Sequence, residues 1–126
     1  MSEPLVHEHF LLRAEVENPS TNRRQVTKFL NKLIKKIKMN TLYGPVTSKC
    51  KQEGNRGITA FAIIETSHIS MHIWDECQPG KVHFDVYSCA PFKLDDVIEH
   101  FKSFFKVVKM DYKFVDRENR FIDVKV

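Results

Sequence analysis

The spacing of apolar residues changes period twice along this 126-residue chain. Intervals of three and four residues run over positions 26–37, alternation of apolar and polar residues replaces them over positions 58–89, and the helical intervals return over positions 94–105. Intervals of three and four place apolar side chains on one face of a helix, whereas alternation places them on one face of a strand. The chain must therefore bury two amphipathic helices against a sheet.

The two helices have distinct start signals. A break at Asn18-Pro19-Ser20 precedes the first helix and offers a cap at Ser20 or Thr21. Asp95 and Asp96 lie in the first turn of the second helix, where their charge suits the helix dipole. The residues expected to face the core are Val26, Phe29, Leu30, Leu33, Ile34 and Ile37 in the first helix, and Leu94, Val97, Ile98, Phe101, Phe104 and Phe105 in the second.

The strands are predicted from runs of alternating or β-branched residues. Residues 7–16 form the first, residues 58–64 a central strand, and residues 69–73 and 82–86 an antiparallel hairpin closed by the turn residues Asp75 to Gly80. A strand near residues 107–115 and a short tail strand over residues 121–126 follow. The order of these elements predicts an α+β two-layer sandwich, a mainly antiparallel sheet with both helices on one face.

Composition narrows the class of protein. The length indicates a single domain over residues 1–126, and 42% hydrophobic residues are enough for a core. The longest uncharged apolar stretch, residues 58–64, is far shorter than the roughly 20 residues of a membrane span. The N-terminus lacks a signal-peptide layout, so we expect a cytoplasmic protein without a membrane partner.

Charge and cysteine content exclude further classes. Three cysteines without a CxxC pair, Cys50, Cys77 and Cys89, argue against a disulfide framework and a zinc site. The histidines lack the paired carboxylates of a metal site, so we expect no metal. The net charge of +4 is a weak sign of an anionic partner, and the lysines of the first helix are most simply its solvated face. We therefore expect no nucleic-acid partner.

The sheet face away from the helices is not the hydrophilic surface expected of a solvated face. It carries His68, Ser70, His72, Trp74, His83, Asp85, Tyr87 and Cys89. If Trp74 pairs with Lys81 across the turn, the numbers of opposite residues sum to 155. This register gathers four candidate reactive side chains near one end of one face: Ser67, His68, His72 and Cys89. Such a face is suited to packing against the sheet of a second copy of the chain. We therefore predict a homodimer with four layers in the order αββα and with sites close to the interface.

Three segments closely resemble the small prokaryotic S-adenosylmethionine decarboxylases: Gly57 to Ala60, Glu65 to Glu76 and Asp85 to Cys89. The family pattern runs Ser-His-apolar-(Ser/Thr)-apolar-His-Thr-Trp-Pro-Glu and then Asp-apolar-aromatic-Thr-Cys-Gly. This chain reads SHISMHIWDE and then DVYSCA. Ser67, His72 and Cys89 have the spacing found in the family. The three residues together are a much more specific sign of this family than any one of them alone.

The resemblance implies an enzyme that makes its own cofactor. The hydroxyl of Ser67 would attack the carbonyl of Thr66, an N→O acyl shift would form an ester, and β-elimination would cut the chain between the two residues. Ser67 then becomes a pyruvoyl group, which forms a Schiff base with an amino-acid substrate and acts as the electron sink for decarboxylation. The implied reaction converts S-adenosylmethionine into the aminopropyl donor of spermidine synthesis.

The resemblance also implies roles for the remaining motif residues. His72 is the proton acceptor in processing, and Thr59 takes the place of a serine that assists processing. Cys89 is the proton donor in turnover, a role that suits a thiol of tunable pKa. Glu76 matches a glutamate that holds the ribose hydroxyls, and Ile69 is a further expected substrate contact.

Departures from the family pattern leave other functions open. Thr66 replaces the usual Glu or Lys before the serine, and Glu53 stands where the family has an aromatic residue that stacks on adenine. Such stacking contributes about 1–3 kcal/mol, so Tyr43, Trp74 or a partner subunit would have to supply it. A pyruvoyl-dependent arginine or ornithine decarboxylase is therefore the first alternative. An unprocessed, non-catalytic homologue is the second, and a basic RNA-binding sheet is the third.

Overall fold

Seven strands form one antiparallel sheet in the computed structural model, which describes residues 5–125. Their order across the sheet is β2-β3-β4-β5-β1-β6-β7. The elements are β1 (Glu8–Glu17), α1 (Arg23–Lys36), β2 (Thr41–Cys50), β3 (Gly57–Ile64), β4 (Ser67–Trp74), β5 (Gly80–Ser88), α2 (Leu94–Phe104), β6 (Lys106–Asp116) and β7 (Ile122–Asp123).

Both helices cover the same face of this sheet. The ring of Phe84 on β5 lies 5.8 Å from that of Phe29 on α1 and 5.7 Å from that of Phe101 on α2, between ring centroids. Alternate residues of β1, β3, β4 and β5 are buried beneath the helices in one continuous core. The predicted α+β two-layer sandwich is confirmed. Among the described residues, neither helix has the length and apolar content needed to cross a membrane.

The β4–β5 hairpin has the predicted register. Trp74 pairs with Lys81, His72 with His83, and Ser70 with Asp85. The residue numbers of every opposite pair therefore sum to 155, as predicted. This agreement follows from alternation, because a slip of one residue would turn the buried side chains of either strand toward the other face.

Two predicted boundaries differ from the structure. Asn22 caps α1, its side chain accepting from the Gln25 backbone N–H at 3.0 Å, rather than Ser20 or Thr21. Those two hydroxyls are engaged elsewhere: Ser20 donates to the Gln25 side chain, and Thr21 donates to Asp75 at 3.2 Å. The predicted tail strand is reduced to Ile122–Asp123, and its last predicted residue lies outside the described part of the chain.

The strand that periodicity did not locate is β2. It runs along the edge of the sheet beside β3, and its pairing shifts register twice between Thr41 and Val46. Gly44 lies at one of these irregularities with φ +98°, a conformation that only glycine adopts readily. Most of the side chains of β2 are exposed, so its sequence carries no alternation.

Candidate active site

The Thr66–Ser67 bond lies in the tight turn between β3 and β4. Ile64 and Ser67 face each other across the two strands, which leaves only Glu65 and Thr66 to close the hairpin. Ser67 has φ +149°, a region that residues with a side chain rarely adopt. Positive φ at a non-glycine residue stores on the order of 1–3 kcal/mol, and such strain is held in place by the structure around it.

The carbonyl of Thr66 has a backbone hydrogen-bond donor aimed at it. The N–H of Cys89 donates to this oxygen over 2.8 Å, because β5 ends beside the turn and Ser67 pairs with Ser88. Cys89 is half-buried and forms no disulfide, and this hydrogen bond holds its backbone next to the Thr66–Ser67 bond. This arrangement brings Ser67 and Cys89 together, as the sequence predicted.

The side chain of Thr66 is fixed by a buried hydroxyl that the sequence reasoning missed. Ser88 has no exposed surface; its hydroxyl donates to the Ala90 carbonyl at 2.7 Å, and its Oγ lies 3.0 Å from Thr66 Oγ1. The Ala90 N–H donates back to Ser88 Oγ at 3.0 Å. A signal was present, since Ser88 continues the alternation of Val82, Phe84 and Val86 and therefore falls at a core position.

His72 lies in a second group, toward the other end of β4. Its ring stacks on Trp74 with centroids 3.9 Å apart, and Thr59 Oγ1 on β3 lies 3.3 Å from a ring nitrogen. Burial lowers the pKa of His72, and the facing His83 lowers it further. The imidazole is therefore neutral around pH 7 and able to accept a proton.

These two groups are separated within one chain. Ser67 and His72 are five residues apart in an extended strand, a span of about 16 Å. The expected single cluster therefore divides: Ser67, His68 and Cys89 lie together, while His72 lies apart with Thr59.

Glu76 extends the second group beyond the end of β4. Its two carboxylate oxygens accept from the Gly54 backbone N–H at 3.0 and 2.9 Å. A cavity of about 430 Å³ opens beside it, with Trp74, Arg56 and His83 among its lining residues. The carboxylate keeps free lone pairs toward this cavity, so it can accept hydrogen bonds from hydroxyl groups.

Ile69 and Glu53 belong to neither group of side chains. Ile69 has no exposed surface and packs in the core beneath the helices, so the structure does not bring its side chain to either group. Glu53 is exposed in the loop between β2 and β3, next to the Gly54 that Glu76 binds. In the described part of the chain, no three His, Cys, Asp or Glu side chains converge as metal ligands.

The segments that resemble a known family all lie on β3, β4 and β5, the strands that carry both groups. A family model described as S-adenosylmethionine decarboxylase matches residues 14–118, and the chain belongs to that family. A relative from Methanococcus vannielii, named S-adenosylmethionine decarboxylase proenzyme, is 30% identical over 71 residues. Those residues are 56% of this chain and 55% of the relative, so the chain spans about half the length of the curated relative it matches.

Proposed function

We propose that this chain cuts itself between Thr66 and Ser67 and then decarboxylates S-adenosylmethionine with the pyruvoyl group so formed. The proposal depends on the hydrogen bonding and the backbone conformation at this one peptide bond. Its carbonyl accepts a hydrogen bond from Cys89 N–H at 2.8 Å, and the residue that follows it has φ +149°. Family membership and the name of the relative support the same reaction class.

The bond is arranged for an N→O acyl shift. As Ser67 Oγ attacks the Thr66 carbonyl carbon, negative charge grows on the carbonyl oxygen, and the Cys89 N–H already points at it. The C–N bond then breaks, the nitrogen takes up a proton, and an ester joins the two residues. Breaking this bond also removes the torsion that defines φ of Ser67, so the strain of the intact chain is released in the reaction.

The second stage of processing converts the ester. Loss of the α-proton of Ser67 expels the Thr66 carboxylate from the β-carbon. Water then displaces the nitrogen of Ser67, which leaves as ammonia, and the ketone of the pyruvoyl group remains. His72 is the proposed acceptor of the α-proton, since its lowered pKa keeps it neutral, with Thr59 as its hydrogen-bonded neighbour.

The residues around Ser67 suit a pyruvoyl group. The group would originate from Ser67 itself and remain at the start of β4, beside the residue pair Ser88 and Cys89 at the end of β5. A pyruvoyl carbonyl supplies the electron sink needed to decarboxylate an α-amino acid. Cys89 is the proposed donor of the proton that replaces the lost carboxylate, since its backbone N–H bonds the Thr66 carbonyl and its thiol is free.

Because Ser67 and His72 are about 16 Å apart in one strand, the site as proposed needs a second copy of the chain. The helix-free face exposes the apolar side chains of Leu11, Phe61 and Ile63. A two-fold dimer packed through this face would run the two β4 strands past each other, and the His72 group of one copy could then meet Ser67 of the other. The dimer would have four αββα layers.

Mixed dimers test this arrangement. Ser67→Ala and His72→Ala chains, each inactive alone, are co-expressed with different tags. Each mixed dimer restores one complete site, in which the His72→Ala chain supplies the serine. In mixed dimers isolated through both tags, every His72→Ala chain and no Ser67→Ala chain should therefore be cut. Mixed dimers in which no chain is cut would show that the two residues act within one copy.

The proposed substrate follows from the second group. Glu76 would accept hydrogen bonds from the ribose hydroxyls. The ring of Trp74 lies beside the 430 Å³ cavity and would supply the aromatic surface that is missing at Glu53. The assay is carbon dioxide release from S-adenosylmethionine, arginine and ornithine, with Ser67→Ala as the blank. Release from S-adenosylmethionine alone is expected. Turnover of arginine or ornithine instead would favour the alternative decarboxylase, and an uncut chain that releases nothing would indicate a non-catalytic homologue.

The place of the reaction in the cell stays a prediction. Decarboxylated S-adenosylmethionine is the aminopropyl donor that a spermidine synthase consumes, and we expect the reaction in the cytoplasm. Formation of spermidine from putrescine, when this protein and a spermidine synthase are supplied together with S-adenosylmethionine, tests the link.

A further inference from the structure

A polar cluster centred on Asp85 lies on the helix-free face, where Asp85 pairs with Ser70, three residues along β4 from the cleavage bond. His9 Nε2 lies 2.9 Å from Asp85 Oδ2, and the Ser70 hydroxyl donates to Oδ1. His68 Nε2 lies 3.7 Å from the same Oδ2, within ion-pair distance. The proposed function does not use these groups, although Asp85 is three-quarters buried and well supplied with partners.

His68 links this cluster to the reacting hydroxyl. Its Nδ1 lies 3.2 Å from Ser67 Oγ, while its Nε2 faces Asp85. Neighbouring side chains on a regular strand point to opposite faces, but the positive φ of Ser67 departs from strand geometry at this position. The carboxylate charge favours the tautomer with the proton on Nε2, and that tautomer leaves Nδ1 free to accept a proton from the serine.

We propose that His68 is the general base that activates Ser67 for attack on the Thr66 carbonyl, with Asp85 as its positioning residue. The proposal rests on the proposed function and names the proton carrier for its first step. Nδ1 takes the proton from Ser67 Oγ as the new C–O bond forms. The resulting imidazolium gives the proton to the Ser67 nitrogen as the C–N bond breaks, so the imidazole ends the step unchanged.

The surroundings of His68 suit this transient positive charge. Tyr87 on β5 and His9 on β1 face its ring with centroids 5.7 and 6.4 Å away, and Ile63 faces it from β3. Within residues 5–125, Asp85 is the only carboxylate paired with it. Burial by itself would raise the pKa of Asp85, but hydrogen bonds from His9 and Ser70 and the charges of His9 and His68 together lower it. The carboxylate therefore stays ionised where the imidazolium forms.

Two histidines thus serve two successive proton transfers. His68 acts before the ester forms, and His72 acts after it. Hydroxylamine distinguishes a variant that stops before the ester from one that stops after it, because this reagent cleaves an ester and leaves an amide intact. We expect His72→Ala to remain full-length but to be cut by hydroxylamine between residues 66 and 67. We expect His68→Ala to remain full-length and to resist hydroxylamine, with cleavage at least about 100-fold slower than in the native chain.

Added imidazole separates chemistry from structure. It should restore cleavage to His68→Ala in proportion to its concentration, because a free base can occupy the space of the missing ring. His68→Gln serves as a second variant should His68→Ala fail to fold, as judged by circular dichroism. Cleavage of either folded variant at the native rate, or a hydroxylamine-sensitive ester in it, would overturn the role of His68.

Asp85 has a matched control on the same face. Asp111 lies on β6 and bonds Arg13 at 3.4 Å, away from His68. Asp85→Asn should slow cleavage and move the acid limb of its pH profile to lower pH, because the imidazolium loses its carboxylate. Asp111→Asn should leave rate and profile unchanged. Equal behaviour of the two variants would remove Asp85 from the proposal.

These outcomes are distinct from failure of the proposed function. If the native chain never forms an ester and is never cut, self-processing itself is wrong. If the native chain is cut and His68→Ala is cut equally fast, only the assignment of His68 is wrong.

Discussion

The strain at Ser67 predicts an inversion of the usual effect of glycine on a strand. Ser67→Ala and Ser67→Gly both remove the nucleophile and its contact with His68, so both remain uncut and they differ only at the backbone. At an ordinary strand position glycine is less stable than alanine by about 0.5–1 kcal/mol. At φ +149° alanine keeps the strain and glycine relieves it.

The magnitude follows from these two terms. Strain of about 1–3 kcal/mol, less the entropic cost of glycine, leaves Ser67→Gly more stable than Ser67→Ala by about 1 kcal/mol, and by no more than about 2.5 kcal/mol. Ser70 is the matched control, since it lies on the same strand and is absent from the positive-φ residues among the described part of the chain. In a Ser67→Ala background, Ser70→Gly should be less stable than Ser70→Ala.

The assay is urea unfolding of the four variants at one protein concentration, because association would otherwise alter their apparent stability. The difference between the two glycine–alanine comparisons measures the strain directly. If glycine destabilises both positions by the same amount, the backbone at Ser67 is unstrained, and release of strain plays no part in cleavage.

Three further predictions concern the surrounding groups. Ser88→Ala leaves the Ala90 N–H and carbonyl without their buried partner and should destabilise the fold by about 1–3 kcal/mol in thermal or urea unfolding, with slower cleavage. Cys89→Ala keeps the backbone donor to Thr66, so cleavage seen on a gel should persist while carbon dioxide release falls at least about 100-fold. Asp85, whose pKa is lowered on folding, stabilises the protein above about pH 4, where the unfolded carboxyl is ionised, and this contribution disappears as pH falls through the lower folded pKa. Asp85→Asn should therefore flatten the acid side of the stability profile.

Much of the fold could be predicted because two periods are present in the sequence. Alternation determined the β4–β5 pairing, with Trp74 opposite Lys81, and helical spacing identified the buried faces of α1 and α2. Strand β2 could not be located because an exposed edge strand broken at Gly44 has no face that must be apolar. The cap of α1 depended on which of three adjacent polar side chains was free, which only the tertiary contacts decide.

The site was predictable where it depended on pairing and unpredictable where it depended on distance. Register alone placed Cys89 beside Thr66. The same register could not bring His72 to Ser67, because a strand advances about 3.3 Å per residue and five residues carry the two apart. The positive φ of Ser67 left no signal in the sequence, since serine gives no indication of such a backbone. The contacts of His68 with Ser67 and Asp85 likewise emerge only from the folded chain.

The intact mass of the purified chain tests the central claim most directly. The account predicts two fragments for the native protein, residues 1–66 and residues 67–126. The second should begin with a group that reacts with a carbonyl reagent, whereas Ser67→Ala should give one full-length species that does not react. A native protein that keeps the full-length mass, resists hydroxylamine and fails to react with the carbonyl reagent would contradict self-processing at Ser67.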